Sequence, residues 1–160
     1  MHVGQPSITW IRVAQCRKMA GVETFEHLSR TPTVLLTTRR RDGRTVDTPM
    51  NFAVDAAGRG YFRTWPNAGK VKRLANFPGV RVCRCTRNGH PQGSDQPALA
   101  RRLAGAEAER ARRVLAAKYP ITHRWLGPVV DRIRRMQPVY YELTPTDEPT
   151  PWTGRPEPVS

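Results

Sequence analysis

Residues 31–65, "TPTVLLTTRRRDGRTVDTPMNFAVDAAGRGYFRTW", read as short β-rich runs separated by turn formers. Asp42-Gly43 stands between two such runs and predicts a hairpin, because that turn needs a residue at positive φ. Thr45, Asp47 and Pro49 alternate with Val46, Thr48 and Met50, and Pro49 predicts an edge or a bulge where no ladder donor is needed. Asp55-Ala-Ala-Gly58 supplies the next turn. The stretch therefore predicts three antiparallel strands. "VRVCRCTR" predicts a fourth. Ala98 to Leu103 predicts a fifth after the turn-like "NGHPQG", with Pro97 weakening its start, and Val139 to Leu143 closes the set.

Helical spacing fills the intervals. In "VETFEHLSR", Val22, Phe25 and Leu28 recur three apart and predict a helix opening near Met19. Asn67 is placed to cap a short helix with Val71, Leu74 and Ala75 facing inward, and Pro78-Gly79 stops it. Glu107 to Lys118 predicts a helix with acids early, bases late and a Glu109–Arg113 pair. Gly127-Pro128 divides Ile121 to Met136 into two short helices. The pattern predicts a mainly β chain with helices (α+β), built as a small antiparallel barrel or roll.

The chain has 160 residues, enough for one domain with a buried core. Residues 1–18 show no packing period and predict a disordered N-terminal extension, with Met19 a candidate natural start. Residues 19–145 form the domain, and residues 146–160 predict a Pro-rich disordered tail. No apolar run approaches the ~20 residues of a membrane span, and Arg12 and Gln15 interrupt any signal-peptide centre. These features predict a cytoplasmic protein. Cys16, Cys83 and Cys85 make no disulfide framework. Cys83 and Cys85 share one strand face as small packing residues, without the further ligands a metal site needs.

Charge is the dominant compositional feature, with a formal net charge of +14 from 27 basic and 13 acidic residues. Such a field favours anionic partners of any class. The segment "YFRTWPNAGKVKRLANFPGVRVCRC" gives that charge a place. A helix N-terminus offers free N–H groups and partial positive charge to a phosphate. Gly69 admits close approach, Thr64 offers a hydroxyl, and Arg63, Lys70 and Lys72 supply charge. The order of strand end, turn and helix start lets these donors converge on one point. His27, His90 and His123 stand apart from one another and from any nucleophile, so no acid–base residue is assigned.

"RTWPNAGKVKRLANFPGVRV" resembles the phosphate-anchoring segment of the pyridoxamine 5′-phosphate oxidase-like split-barrel flavoproteins. "LLTTRRRDGRTVDTPMNFAVD" resembles their first hairpin. The likeness runs from Thr33 to Pro145, through "RRVLAAKY" and "ELTP", and is nearest to the branch that uses the deazaflavin coenzyme F420. It implies a split β-barrel of the FMN-binding type, a homodimer with cofactor between the subunits, and hydride transfer to or from an organic substrate. It also implies that Thr64 and Lys70 contact the cofactor phosphate, with Arg63, Ala68, Gly69 and Lys72 lining that end. Thr48, Pro49, Met50 and Asn51 would run along the ring, largely through backbone. Ala68 stands where that branch usually has Ser, Asn51 where it often has Trp, and "QPALAR" where it usually reads like "VEGTAR". Arg39 to Arg41, Arg101 and Arg102 are candidates for the poly-glutamate tail of F420. The alternatives are FMN in the same seat, a non-catalytic cofactor carrier, and a basic nucleic-acid-binding protein. The last lacks aromatics interleaved with its basic runs.

Overall fold

The computed structural model describes residues 24–120, 132 and 135–147. Seven strands form one sheet: β1 (Val34–Arg39), β2 (Thr45–Met50), β3 (Ala53–Val54), β4 (Gly60–Thr64), β5 (Gly79–Cys85), β6 (Pro91–Leu103) and β7 (Val139–Pro145). Their order across the sheet is β2-β1-β5-β6-β7-β4-β3, and every pairing is antiparallel. Among the described residues two α-helices have defined bounds, α1 (Gly69–Asn76) and α2 (Gly105–Lys118).

This order has a geometric consequence. β2 and β3 are the two rims of the sheet, yet only Asn51 and Phe52 separate them in sequence. Three Cα steps span at most about 11 Å, so the sheet must curl until its rims meet. The buried core agrees: Leu36, Met50, Phe62, Val80, Val82, Ala98 and Leu143, from six strands, form one cluster with Phe25, Phe52 and Leu74. The fold is an antiparallel split β-barrel with helices, as expected.

Several elements follow the sequence pattern. Gly43 closes the β1–β2 turn at φ 88°, where the Arg40 N–H donates to Arg44 O at 2.7 Å. Pro49 lies on a rim strand. Phe25 and Leu28 are buried, and the part of the expected helix that falls among the described residues is one 3-10 turn, Glu26–Leu28. Cys83 and Cys85 pack with Leu35 as a small buried group.

Other expectations need correction. The meander of three strands is four, because the run through Met50 breaks at Asn51–Phe52 to cross between the rims. The fifth expected strand starts seven residues earlier, at Pro91, because the second half of "NGHPQG", Pro91 to Gly93, is strand. There β6 pairs Gln92 with Arg84 and Gln96 with Val82, absorbing its extra residues in a register shift with Gly93 at φ 88°. Asn67 does not cap α1. The Ala68 N–H donates to Trp65 O at 3.0 Å, and this turn leaves Asn67 exposed, with Ala68 at the cap position making no side-chain hydrogen bond. Ala75 is exposed, so Leu74 alone is fully inward. The two helices expected within 121–136 fall almost wholly outside the described residues. Met19, Cys16 and the two terminal segments fall outside them entirely. Among the described residues no helix is long and apolar enough to cross a membrane.

α2 lies on the outer face of the sheet. Its Ala111 and Leu115 pack with Ala53, Tyr61, Leu103 and Tyr140 in a second core cluster. Beside it runs a buried ionic network. Asp55 accepts from the backbone N–H groups of Ala57 and Arg59, the Tyr61 hydroxyl at 2.9 Å, and the Arg59 and Arg110 guanidinium groups. Glu142, 81 residues from Tyr61, accepts from Arg101 at 3.2 Å and lies 3.3 Å from the same hydroxyl. Buried carboxylates persist only with such partners.

Candidate anion-binding site

β4 delivers Arg63 and Thr64 to the turn that starts α1. Strand alternation sends them to opposite faces. Thr64 follows Phe62 on the core side and is buried, whereas Arg63 follows Tyr61 on the outer side. There its guanidinium lies 5.2 Å from the centre of the Trp65 ring. Arg63 and Thr64 thus leave β4 on opposite faces, and Arg63 engages the Trp65 ring on the outer one.

α1 begins without a capping side chain, so its first N–H groups lack a side-chain acceptor. Lys70 stands one turn before the buried Leu74 and therefore on the sheet-facing side. It is half-buried and, among the described residues, has no acidic partner. Burial lowers its pKa, and the nearby Arg73 charge lowers it further. Arg73 is pushed down in turn by burial and by Arg40. Among the described residues these cations crowd one another with no carboxylate paired to them.

Gly69, Lys72, Arg73 and Asn76 are spaced i, i+3, i+4 and i+7, so they form one face of α1. With Arg39, Arg40 and Arg41 from the end of β1 they line a groove of about 320 Å³. Arg73 Nε donates to Thr38 Oγ1 at 2.7 Å, which ties the helix to β1, and Arg41 Nη2 donates to Asn76 Oδ1 at 3.2 Å. The Arg39 guanidinium lies 5.1 Å from the Phe77 ring centre, and its buried Nε has no hydrogen-bond partner among the described residues. A Cβ built on Gly69 would come 2.9 Å from Arg73 Nη1, so the glycine keeps this floor open. Asp42, the nearby acid, is held below the usual carboxylate range first by the Arg44 guanidinium, 2.7 Å away. Arg73 and Asn76 are absent from the sequence-based candidates, whereas Arg40 is among them as one of the tail arginines. The signal was present in the i, i+3, i+4, i+7 spacing of α1.

Of the candidate tail arginines, Arg39 to Arg41 reach this groove. Arg101 is engaged elsewhere, 2.6 Å from Glu107 and 3.2 Å from Glu142, and Arg102 is exposed on β6. Thr48, Pro49, Met50 and Asn51 occupy the end of β2 remote from the hairpin. Thr48 pairs with Leu36, Pro49 with Leu35 and Met50 with Val34, whereas Thr45 pairs with Arg39 beside the groove. Asn51 thus lies roughly 20 Å along the strand from Thr45. Met50 is buried in the core, and Pro49 is exposed on the outer side.

The Asn51–Phe52 crossing is held from α2. Lys118 Nζ donates to Phe52 O at 2.6 Å and to Thr31 O at 2.7 Å. The Phe52 N–H donates to the Tyr119 hydroxyl oxygen at 3.2 Å, and that hydroxyl donates to Pro32 O at 2.7 Å. Nothing local in the sequence announces contacts 66 and 67 residues apart.

No family model matches the chain, and no curated protein does. Solved structures do. A candidate pyridoxamine 5′-phosphate oxidase from Listeria innocua is 17% identical, with a TM-score of 0.51 over 75% of this chain and 88% of that one. The haem storage protein HutZ from Vibrio cholerae is 17% identical, with a TM-score of 0.54 over 79% and 93%. An FAD-binding protein from Mesorhizobium loti is 17% identical, with a TM-score of 0.52 over 75% and 85%. What the chain has in common with these proteins is its fold, the split barrel of pyridoxamine 5′-phosphate oxidase-like proteins.

Proposed function

We propose that the chain is an oxidoreductase that binds a phosphate-bearing flavin-type cofactor, with the phosphate at the start of α1. The observation that carries this reading is the uncompensated charge around Gly69. Lys70, Lys72, Arg73 and Arg39 to Arg41 gather from two segments with an uncapped helix start between them. An anion there would offset the burial and the mutual repulsion that lower the Lys70 and Arg73 pKa values, and its oxygens would accept from helix-start N–H groups that have no side-chain acceptor. Thr64, Ala68, Gly69, Lys70 and Lys72 are the residues that would hold it.

The finer reading is coenzyme F420. The Arg39–Arg41 groove extends the positive surface beyond one phosphate, which suits a cofactor with a poly-glutamate tail. The bound cofactor would supply the hydride chemistry. The protein would bind, orient and exclude water, with the Thr48–Asn51 backbone along the ring. A homodimer with the cofactor between subunits completes this reading. FMN is the second reading, favoured by the likeness in fold to an FAD-binding protein and a candidate pyridoxamine 5′-phosphate oxidase.

Titration of the full chain with F420 and with FMN, followed by tryptophan quenching, tests both. The reading expects saturable binding of at least one of them, tighter for F420. Tight, salt-sensitive oligonucleotide binding with no affinity for either cofactor would overturn it in favour of a nucleic-acid-binding protein.

A further inference from the structure

The chain passes from one rim of the sheet to the other in two residues, Asn51 and Phe52, which leave the β2 ladder before β3 begins. Such a crossing must satisfy its backbone polar groups away from the ladders. Here the end of α2 supplies the partners. Phe52 uses both its N–H and its C=O on Tyr119 and Lys118, at 3.2 Å and 2.6 Å. The same two side chains reach the segment entering β1, through Thr31 O and Pro32 O, both at 2.7 Å. Lys118 is half-buried, its ammonium lies 5.4 Å from the Tyr119 ring centre, and burial lowers its pKa. A half-buried lysine spent on two main-chain carbonyls, with no carboxylate partner among the described residues, is an unusual use of a charge.

We propose that Lys118 and Tyr119 form a latch that fixes the Asn51–Phe52 crossing and so sets the path of the Thr48–Asn51 backbone for cofactor binding. They are positioning residues that act through Phe52. The second half of this inference rests on the cofactor reading above; the first half does not. Because Lys118 and Tyr119 are adjacent at the end of α2, docking of that helix by Ala111 and Leu115 places both. The second core cluster, which includes Ala53 of the β3 rim and has Tyr119 packed against it, thereby bears on the geometry of the crossing beside it.

The experiment uses the full chain and three variants: Lys118→Met, Tyr119→Phe, and Val82→Ala as a change in the core shared with Met50 and Phe52 that leaves both latch side chains in place. Without ligand, hydrogen exchange at residues 49–53 should accelerate more than tenfold in the two latch variants. Peptides from β5 and β6 should exchange in the latch variants as in the wild type, and Val82→Ala should accelerate 49–53 less than either latch variant. With FMN, well below every melting temperature, the latch variants should bind at least tenfold more weakly, with the visible band of bound FMN shifted towards that of free FMN. Val82→Ala should keep both affinity and spectrum. Unchanged exchange at 49–53 in both latch variants overturns the latch. Faster exchange with unaltered FMN affinity and spectrum overturns its positioning role. A wild-type chain that binds neither FMN nor F420 overturns the cofactor reading and leaves exchange to decide the latch alone.

Discussion

Lys70 carries a charge that its surroundings do not welcome. Burial and Arg73 hold its pKa below the usual lysine value, so an anion in the seat would favour the protonated form. FMN affinity should therefore fall as pH rises through that lowered value, before an ordinary lysine would titrate. Lys70→Ala should remove this alkaline limb and weaken binding by about 1.5–3 kcal/mol, the range for a charged hydrogen bond. The unliganded melting temperature should hold or rise, because a repulsion with Arg73 is gone. Affinity measured from neutral to alkaline pH checks both, and an unaltered profile would remove Lys70 from the seat. Two glycines give a paired test. A Cβ on Gly60 would lie 2.0 Å from Phe52 Cζ, a fully buried ring, whereas on Gly69 it meets the movable end of Arg73. Gly60→Ala should cost about 1–3 kcal/mol or more in denaturant unfolding, and Gly69→Ala much less. Gly43 and Gly58 were legible as turn residues, since Asp-Gly and Ala-Ala-Gly sit between β runs. Gly60 was not, because nothing near it says that the Phe52 ring arrives from the Asn51–Phe52 crossing.

Among elements, the sequence is most readable where structure is local. The β1–β2 hairpin and α2 follow from turn chemistry and acid-to-base order, and the Glu109–Arg113 pair forms at 3.5 Å beside a closer Glu109–Arg112 pair at 2.7 Å. The break at Asn51–Phe52 is invisible because Met50, Phe52 and Ala53 continue an apolar run, and what interrupts it is α2. β6 was misread because Pro91 and Gly93 are turn formers, which here sit in a strand with a shifted register. The network around Asp55 was equally hidden, since Glu142 joins it from the last strand. Burial raises the Asp55 pKa, but the Arg59 N–H, the Tyr61 hydroxyl and the Arg59 charge outweigh it and hold the carboxyl below its usual value. Its contribution to stability is therefore complete above the ordinary carboxylate range and lost as pH falls through the folded value. Asp55→Ala should cost about 3 kcal/mol near neutral pH and flatten the acid limb of the melting temperature against pH.

For the whole molecule, the net charge of +14 is partly neutralised in place and partly not. Arg59, Arg101 and Arg110 face Asp55 and Glu142, while Arg39 to Arg41, Lys72 and Arg73 face one another across a groove. If the groove serves an anionic tail, F420 affinity should rise with tail length and fall steeply with salt, while FMN should show a shallower slope. Titration at two ionic strengths checks this. Equal affinities and slopes would assign the groove to another anion.

The rims that meet at Asn51–Phe52 also bear on how the protein avoids unwanted self-association. An open sheet ends in unpaired backbone groups that can recruit another strand. Here one rim is only two residues long and the other carries Pro49, with a place on its outer side where a Gly89 Cβ would come 2.8 Å from the proline ring. Pro49→Val would restore a backbone donor and raise β propensity on an exposed edge. That variant should aggregate faster at high concentration while melting near the wild-type temperature, so solubility would be lost before stability.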